Sequence, residues 1–244
     1  MKKPFKFKQF EAQQDQCAMK IGTDGVLLGA WASIEHQPLS ILDIGAGTGV
    51  LALMLAQRSN AQLIDALEID DKAYEQCVAN FEGSPWGDRL FCYHASLEEF
   101  AEEIEDTYDL IVCNPPFYLP TLASDVSEPQ KMSKSRELAR FQDAMPFEHL
   151  LESVSTLLSK TGRFCVVIPF SEEEKFVALA KLNALYAQHI CHVRGTPSAA
   201  IKRSLICLSF AETTSEITEL IIETTRHNYT TDYTNLTKAF YLKM

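Results

Sequence analysis

The 244-residue sequence predicts an α/β fold: a mostly parallel, seven-stranded sheet with helices on both faces. Three observations predict it. From Leu39 onward, short apolar runs alternate with helical patterns, as expected of strands joined by crossover helices. A glycine-rich turn follows the first of these runs directly. The composition, 46% hydrophobic and 23% charged, is that of an ordinary globular chain and excludes disordered and collagen-like architectures.

Ser40 to Ile44 reads as the first strand, followed by the glycine turn and a helix through about Gln57. Ala61 to Glu68 is the second strand and Asp70 to Phe81 a helix. Leu90 to Tyr93 is a short third strand, before an acidic helix that starts at Leu97. Tyr108 to Cys113 is the fourth, stopped by Asn114-Pro115-Pro116 because proline cannot donate to a ladder. Phe117 to Gln142 has no firm period and exceeds an ordinary connection, so it reads as a functional loop. A helix from Asp143 to Leu158 leads through Thr161-Gly162 to a fifth strand, Arg163 to Pro169. Ser171 to Tyr186 is expected as a helix, with Ser171 as cap and Glu174 three residues on. His189 to Arg194 and Leu205 to Phe210 complete the seven strands, joined by a basic segment around Lys202. The tail adds a strand, Ile217 to Glu223, and a last helix through Phe240. The expected organisation is one domain: an N-terminal extension (1–38), a core (39–210) and a C-terminal strand–helix tail (211–244).

No apolar run approaches the roughly 18 residues that cross a bilayer. The N-terminal lysines are not followed by an apolar stretch, so no signal peptide is read and the expected location is the cytoplasm. The seven cysteines form no C-x-x-C pair, and several sit in strand-like runs, which fits reduced, buried thiols and no metal site. A net charge of −11 excludes a general nucleic-acid coating protein. The charge is uneven, however: acids crowd Glu98 to Asp109. Basic residues form three islands, at Lys2 to Lys8, at Lys131, Lys134, Arg136 and Arg140, and at Arg194, Lys202 and Arg203. Taken singly, each island is a solvated surface. If they converge, they can grip a polyanion locally.

Two motifs hold the chemistry. In Asp43-Ile44-Gly45-Ala46-Gly47-Thr48-Gly49, glycines after a strand let the backbone approach a ligand, and the following helix presents free N–H groups. Glu68 ends the second strand 19 residues after Gly49, where a carboxylate can accept both ribose hydroxyls. The G-x-G-x-G spacing with this acid looks like the S-adenosylmethionine site of Rossmann-like methyltransferases rather than a dinucleotide site. The second motif, Asn114-Pro115-Pro116-Phe117, resembles the N-P-P-aromatic signature of amino-methyltransferases. An adenine amine is a poor nucleophile because its lone pair is delocalised into the ring. The Asn114 oxygen and the Pro115 carbonyl can accept both of its N–H groups, and Phe117 can stack on an extruded base. Before the sheet, Gly22-Thr23-Asp24-Gly25 reads as a capped helix start, and the tail aromatics read as packing. His149 and His189 belong to no catalytic pattern and read as surface or packing residues.

Phe7 to Phe10, Cys17 to Trp31, Asp43 to Gln57, Ser84-Pro85-Trp86, Asn114 to Phe117 and Leu236 to Leu242 together resemble the bacterial valine-tRNA adenine-N6 methyltransferase family, nearly end to end. The resemblance implies S-adenosylmethionine-dependent N6-methylation of the adenine 3′ of the anticodon in valine tRNA; the sequence itself leads to no expectation of a metal, a membrane or an obligate protein partner. It implies cofactor contacts at Asp43, Gly45, Gly47, Gly49 and Glu68, with the Cys17 to Trp31 block, including Thr23, beside the methionine end. The target base falls to Asn114 to Phe117, and phosphate contacts to Lys20. Lys131, Arg136, Arg140, Lys202 and Arg203 are the further candidates for the RNA backbone. One departure concerns the cofactor adenine. Such enzymes commonly place an Asp after the third strand, and here the run is His94-Ala95-Ser96, leaving Ser96 as a neutral, weaker acceptor. The alternatives are amino methylation of ribosomal RNA or of a protein glutamine, and a non-catalytic, cofactor-dependent RNA binder.

Overall fold

A computed structural model describes residues 3–116 and 145–243. Its centre is β3 (Ser40–Ile44), flanked by β4 (Leu63–Glu68) and β6 (Tyr108–Cys113), both parallel to it. All three are buried along nearly their whole length, which matches their unbroken apolar runs. β5 (Leu90–His94) continues the sheet beyond β4, and β7 (Leu158–Pro169) continues it beyond β6. An antiparallel portion follows, made by β9 (Ile201–Ser209) and β8 (Tyr186–Arg194). The tail strand β10 (Glu216–Ile221) pairs parallel to β8, so the sheet has eight strands rather than seven. Pairing with the tail covers the edge that β8 would otherwise leave open.

Successive side chains on each strand enter opposite cores. Ile41, Ala66 and Val112 face α1 (Thr23–Trp31), α2 (Val50–Arg58), α3 (Asp71–Glu82) and the C-terminal α7 (Thr231–Thr237). Leu42, Leu67 and Ile111 face α4 (Leu97–Glu103), α5 (Phe147–Leu157) and α6 (Glu173–Leu182). The N-terminal hairpin, β1 (Phe5–Lys6) with β2 (Glu11–Ala12), joins the tail through a bridge between Phe7 and Tyr241. Two further short strands, β11 (Glu223–Thr225) and β12 (Asn228–Tyr229), pair before α7.

Four boundaries differ from expectation. Ser171 caps nothing: it sits in a single 3-10 turn, Phe170–Glu172, and α6 begins at Glu173 and ends at Leu182, so Tyr186 belongs to β8. Thr161-Gly162 lies within β7, in an irregular stretch where Leu158 pairs with Tyr108 and Arg163 with Leu110. The helix expected from Asp143 begins at Phe147, with Pro146 as its N-cap, because a residue preceding proline is pushed out of helical geometry. Lys202 and Arg203 lie in β9, not in the connection before it. The loop expected over 117–142 lies outside the described residues.

Candidate functional site

The sheet order places the site. From β3 the chain steps to β4 and β5 on one side, then returns to lay β6 on the other. A crevice opens at the carboxyl ends where the direction reverses, the usual ligand position in such sheets. The glycine turn leaves β3 on one wall and Asn114 leaves β6 on the other, directly after the Ile44–Cys113 pair.

Gly45, Gly47 and Gly49 have φ of +70°, +55° and +75°, a region that costs other residues roughly 1–2 kcal/mol each. Their surroundings divide them. A Cβ on Gly45 or Gly47 would meet nothing within 4 Å, so both look onto open space. A Cβ on Gly49 would lie 2.5 Å from Phe81 Cε1 and 2.8 Å from Cys77 Sγ, so this glycine lets α2 and α3 close together. Glu68 braces the turn: Oε2 accepts from Gly47 N–H (2.7 Å), while Oε1 accepts from Ile69 and Asp70 N–H (both 2.9 Å). Asp43 is fully buried beneath it. Its Oδ2 accepts from Ala52 N–H at 3.1 Å, and Oδ1 has no partner among the described residues. Burial, with Glu68 nearby, pushes its carboxyl up to about 7 against the pull of the Ala52 bond.

Beside this turn lies a pocket of about 340 Å³, lined among others by Gly45, Glu68, Ser96, Met145 and His149. Ser96 faces it but spends its hydroxyl on a capping box, accepting from Glu99 N–H and donating to Glu99 Oε2 (2.9 Å). Its expected part as a hydrogen-bond acceptor for ligand is therefore reduced to one remaining lone pair. His149 Nδ1 lies 3.4 Å from Glu98 Oε1 and lines the same pocket.

Asn114 is half-buried and Pro115 buried. A Cβ on Gly25 would sit 3.7 Å from Asn114 Nδ2, so the start of α1 abuts this motif. The N-terminal segment is held over the glycine turn by α3. Asn80 accepts from Gln13 N–H and donates to Thr48 O, while Gln76 accepts from Gln16 N–H and from Cys17 Sγ. The Cys17 thiol is pushed up to about 12 by burial and by Glu68, Asp70 and Asp15, which marks how near it stands to the turn.

Thr23 does not cap α1: the N-cap is Gly22, without a side-chain bond, and Thr23 is exposed on a different groove. Asp24 instead accepts from Arg203 Nε at 2.8 Å, which ties Arg203 to the protein itself. Lys20 and Lys202 are exposed; Phe117, Lys131, Arg136 and Arg140 lie outside the described residues. Sequence reasoning missed Gln76, Asn80 and Met145. The first two had a signal, polar residues four apart on the otherwise apolar face of α3. Among the described residues, no group of three His, Cys, Asp or Glu could hold a metal ion, and no helix is long and apolar enough to cross a membrane.

A profile of the methyltransferase small domain matches residues 26–132. A tRNA1(Val) (adenine(37)-N6)-methyltransferase of Flavobacterium johnsoniae is 60% identical, over 98% of this chain and all of the relative. The chain belongs to that family. The same name attaches to a Bacteroides fragilis protein 43% identical over 98% of this chain and 98% of the relative. A Photorhabdus laumondii protein of that name is 40% identical over 98% of this chain and 95% of the relative. The resemblance drawn from the sequence is therefore borne out. In three dimensions, a predicted O-methyltransferase from Agrobacterium tumefaciens superposes with a TM-score of 0.65, at 17% identity over 89% of this chain and 96% of that one. At that identity the likeness shows the Rossmann-like methyltransferase fold alone.

Proposed function

We propose that the chain transfers a methyl group from S-adenosylmethionine to the N6 of adenine 37 in a valine tRNA, the reaction named for its relatives. The observation that supports it most is the meeting, at one switch point, of an open glycine turn over a buried carboxylate with Asn114-Pro115-Pro116. Bound in that crevice, S-adenosylmethionine supplies an electrophilic methyl on a cationic sulfur. The residues present suit such a group. The unpaired Oδ1 of Asp43 favours a neighbouring positive charge, and Gly45 and Gly47 leave room where any Cβ would intrude. Glu68 fixes the turn by accepting three backbone N–H bonds, which leaves one acceptor site, on Oε2, for a ribose hydroxyl, and Ser96 borders the adenine end. The Cys17 segment lies toward the methionine end.

Asn114 and the Pro115 carbonyl accept the two N–H groups of the target amine and turn its lone pair out of ring conjugation. The prolines offer no competing N–H, and Phe117 stacks on the base. No strong base is needed, because alignment in line with the leaving sulfur supplies most of the help. Lys20, Lys131, Arg136, Arg140, Lys202 and Arg203 meet the RNA backbone, with Arg203 sharing its charge with Asp24. Residues 1–38, 39–210 and 211–244 act as one domain, in the cytoplasm where the tRNA is found.

Asn114→Ala tests the clamp. Cofactor affinity should stay within about two-fold, while methyl transfer falls at least ~100-fold, the scale for losing one preorganised polar contact in a transition state. Retained turnover in that variant would remove the clamp from the mechanism.

A further inference from the structure

Across the start of α1 from Asn114, the N- and C-terminal extensions close a second hollow of about 510 Å³. Its lining includes Phe5, Thr23, Tyr229, Tyr233, Tyr241 and two lysines, Lys6 and Lys243. Among the described residues none that lines it is a carboxylate, although Glu11 pairs with Lys6 and Glu223 stands opposite Tyr229 across β11 and β12. By contrast, the pocket beside Gly45 includes Glu68 and Glu98, and a hollow of about 560 Å³ bordered by Lys160 and Arg163 includes Glu35 and Glu216. Lys6 already pairs with Glu11 at its exposed end (2.6 Å), and Lys243 is exposed.

The rings are held in place. Tyr233 is buried and hydrogen-bonds Tyr241, whose ring lies 6.3 Å from Phe5. Burial raises both phenols above their ordinary values, so they stay protonated at neutral pH. Tyr229 lies 5.2 Å from Tyr233, ring to ring, yet remains 44% exposed, which leaves surface for a stacking partner. Thr23 at the rim and Gly25 against Asn114 are two residues apart on α1, on different sides of the helix, so the hollow and Asn114 are one helix width apart, roughly 10 Å. Exposed aromatic faces beside cations are what unpaired RNA bases and their phosphates bind.

We propose that this groove holds an unpaired nucleotide of the substrate RNA next to the target adenine, with its base stacked on Tyr229 and its phosphate facing Lys243 and Lys6. The proposal rests on the reading of the chain as an RNA methyltransferase and adds the place where the flanking loop is gripped. It also gives the terminal extensions a binding part beyond packing.

The test uses the full chain with unmodified valine tRNA, at fixed moderate salt, for Tyr229→Ala, Tyr229→Phe and Lys243→Gln. Tyr229→Ala should weaken tRNA binding by about ten-fold, and Tyr229→Phe, which keeps the ring, should restore it. Lys243→Gln should lower the slope of log affinity against log salt by about one. Cofactor affinity, read in parallel, should not move, and Tm should fall by no more than a few degrees in Tyr229→Ala, which loses the ring contact with Tyr233. Unchanged tRNA affinity in Tyr229→Ala would overturn the groove while leaving methyl transfer intact. If instead the wild type binds tRNA but does not methylate it, a Tyr229→Ala loss would keep the groove and place the failure in the proposed reaction.

Discussion

Asp43→Asn separates what the fold needs at the bottom of the crevice from what a cationic ligand needs. The native state holds the Asp43 carboxyl up to about 7 instead of its ordinary 3.8. At ~1.4 kcal/mol per pH unit this sets a ceiling of about 4 kcal/mol. Between pH ~4 and ~7 the native protein keeps a proton there that the unfolded chain has lost. Wild-type stability therefore falls as pH rises through that window and is level above it. Asparagine removes this slope. It can still accept from Ala52 N–H, but its amide N–H would face the place where Oδ1 has no partner, at a cost of ~1–3 kcal/mol. The variant should thus be about 1–3 kcal/mol more stable than wild type at pH 8 and less stable than it at pH 4.5. S-adenosylmethionine affinity should move the other way. It should fall at least about ten-fold at pH 8 in the variant, and in the wild type it should decline as pH drops below ~7, because a cation prefers the ionised carboxylate. Urea unfolding across pH, paired with calorimetric titration of the cofactor, reads both. Parallel stability curves for the two proteins would refute the assignment of a strained, charge-bearing Asp43.

Gly47→Ala and Gly49→Ala should fail differently. The first should cost only ~1–2 kcal/mol of stability but most of the cofactor affinity, whereas the second should cost ~3 kcal/mol or more because its Cβ meets Phe81 and Cys77. Thermal melts and equilibrium binding distinguish the two. Ser96→Ala should lower stability by ~1 kcal/mol through loss of the capping box, with cofactor affinity changed by less than about three-fold; Ser96→Asp should keep the cap and bind cofactor more tightly. Tyr108→Phe removes the O–H that Asp65 Oδ2 accepts at 2.6 Å and leaves that buried carboxylate without a partner among the described residues. The loss should be ~2–3 kcal/mol at pH 8 and smaller at pH 4, since Asp65 is already shifted upward by burial and a protonated carboxyl tolerates burial better.

What could be read from the sequence follows the range of the interactions. β3 and β6 were legible to the residue because fully buried strands are unbroken apolar runs with turn residues at their ends. The glycine turn and Asn114-Pro115-Pro116 were legible because their function needs particular backbone freedom or rigidity within a few residues. The eighth strand was seen but not its place, since apolar alternation gives a strand's faces and not its neighbour. Thr23-Asp24 suggested a local cap, and the structure spends Asp24 on Arg203, 179 residues away. The same holds for Cys17 with Gln76 and for Gln13 with Asn80, where polar side chains on α3 pin a segment about 60 residues earlier. Ser96 shows the opposite case, a local bond that the sequence displays. Its hydroxyl serves the helix it starts, and the Glu99 that completes the box was in view three residues on.

The deciding measurement is transfer of labelled methyl from S-adenosylmethionine to unmodified valine tRNA, run beside a copy in which adenine 37 is guanine. Label in the native tRNA alone is the expected result, since Asn114 and Pro115 accept from an exocyclic amine that the guanine copy no longer presents at N6. Equal label in both would contradict the target, and no label in either, with the cofactor shown to bind, would contradict the tRNA reaction itself.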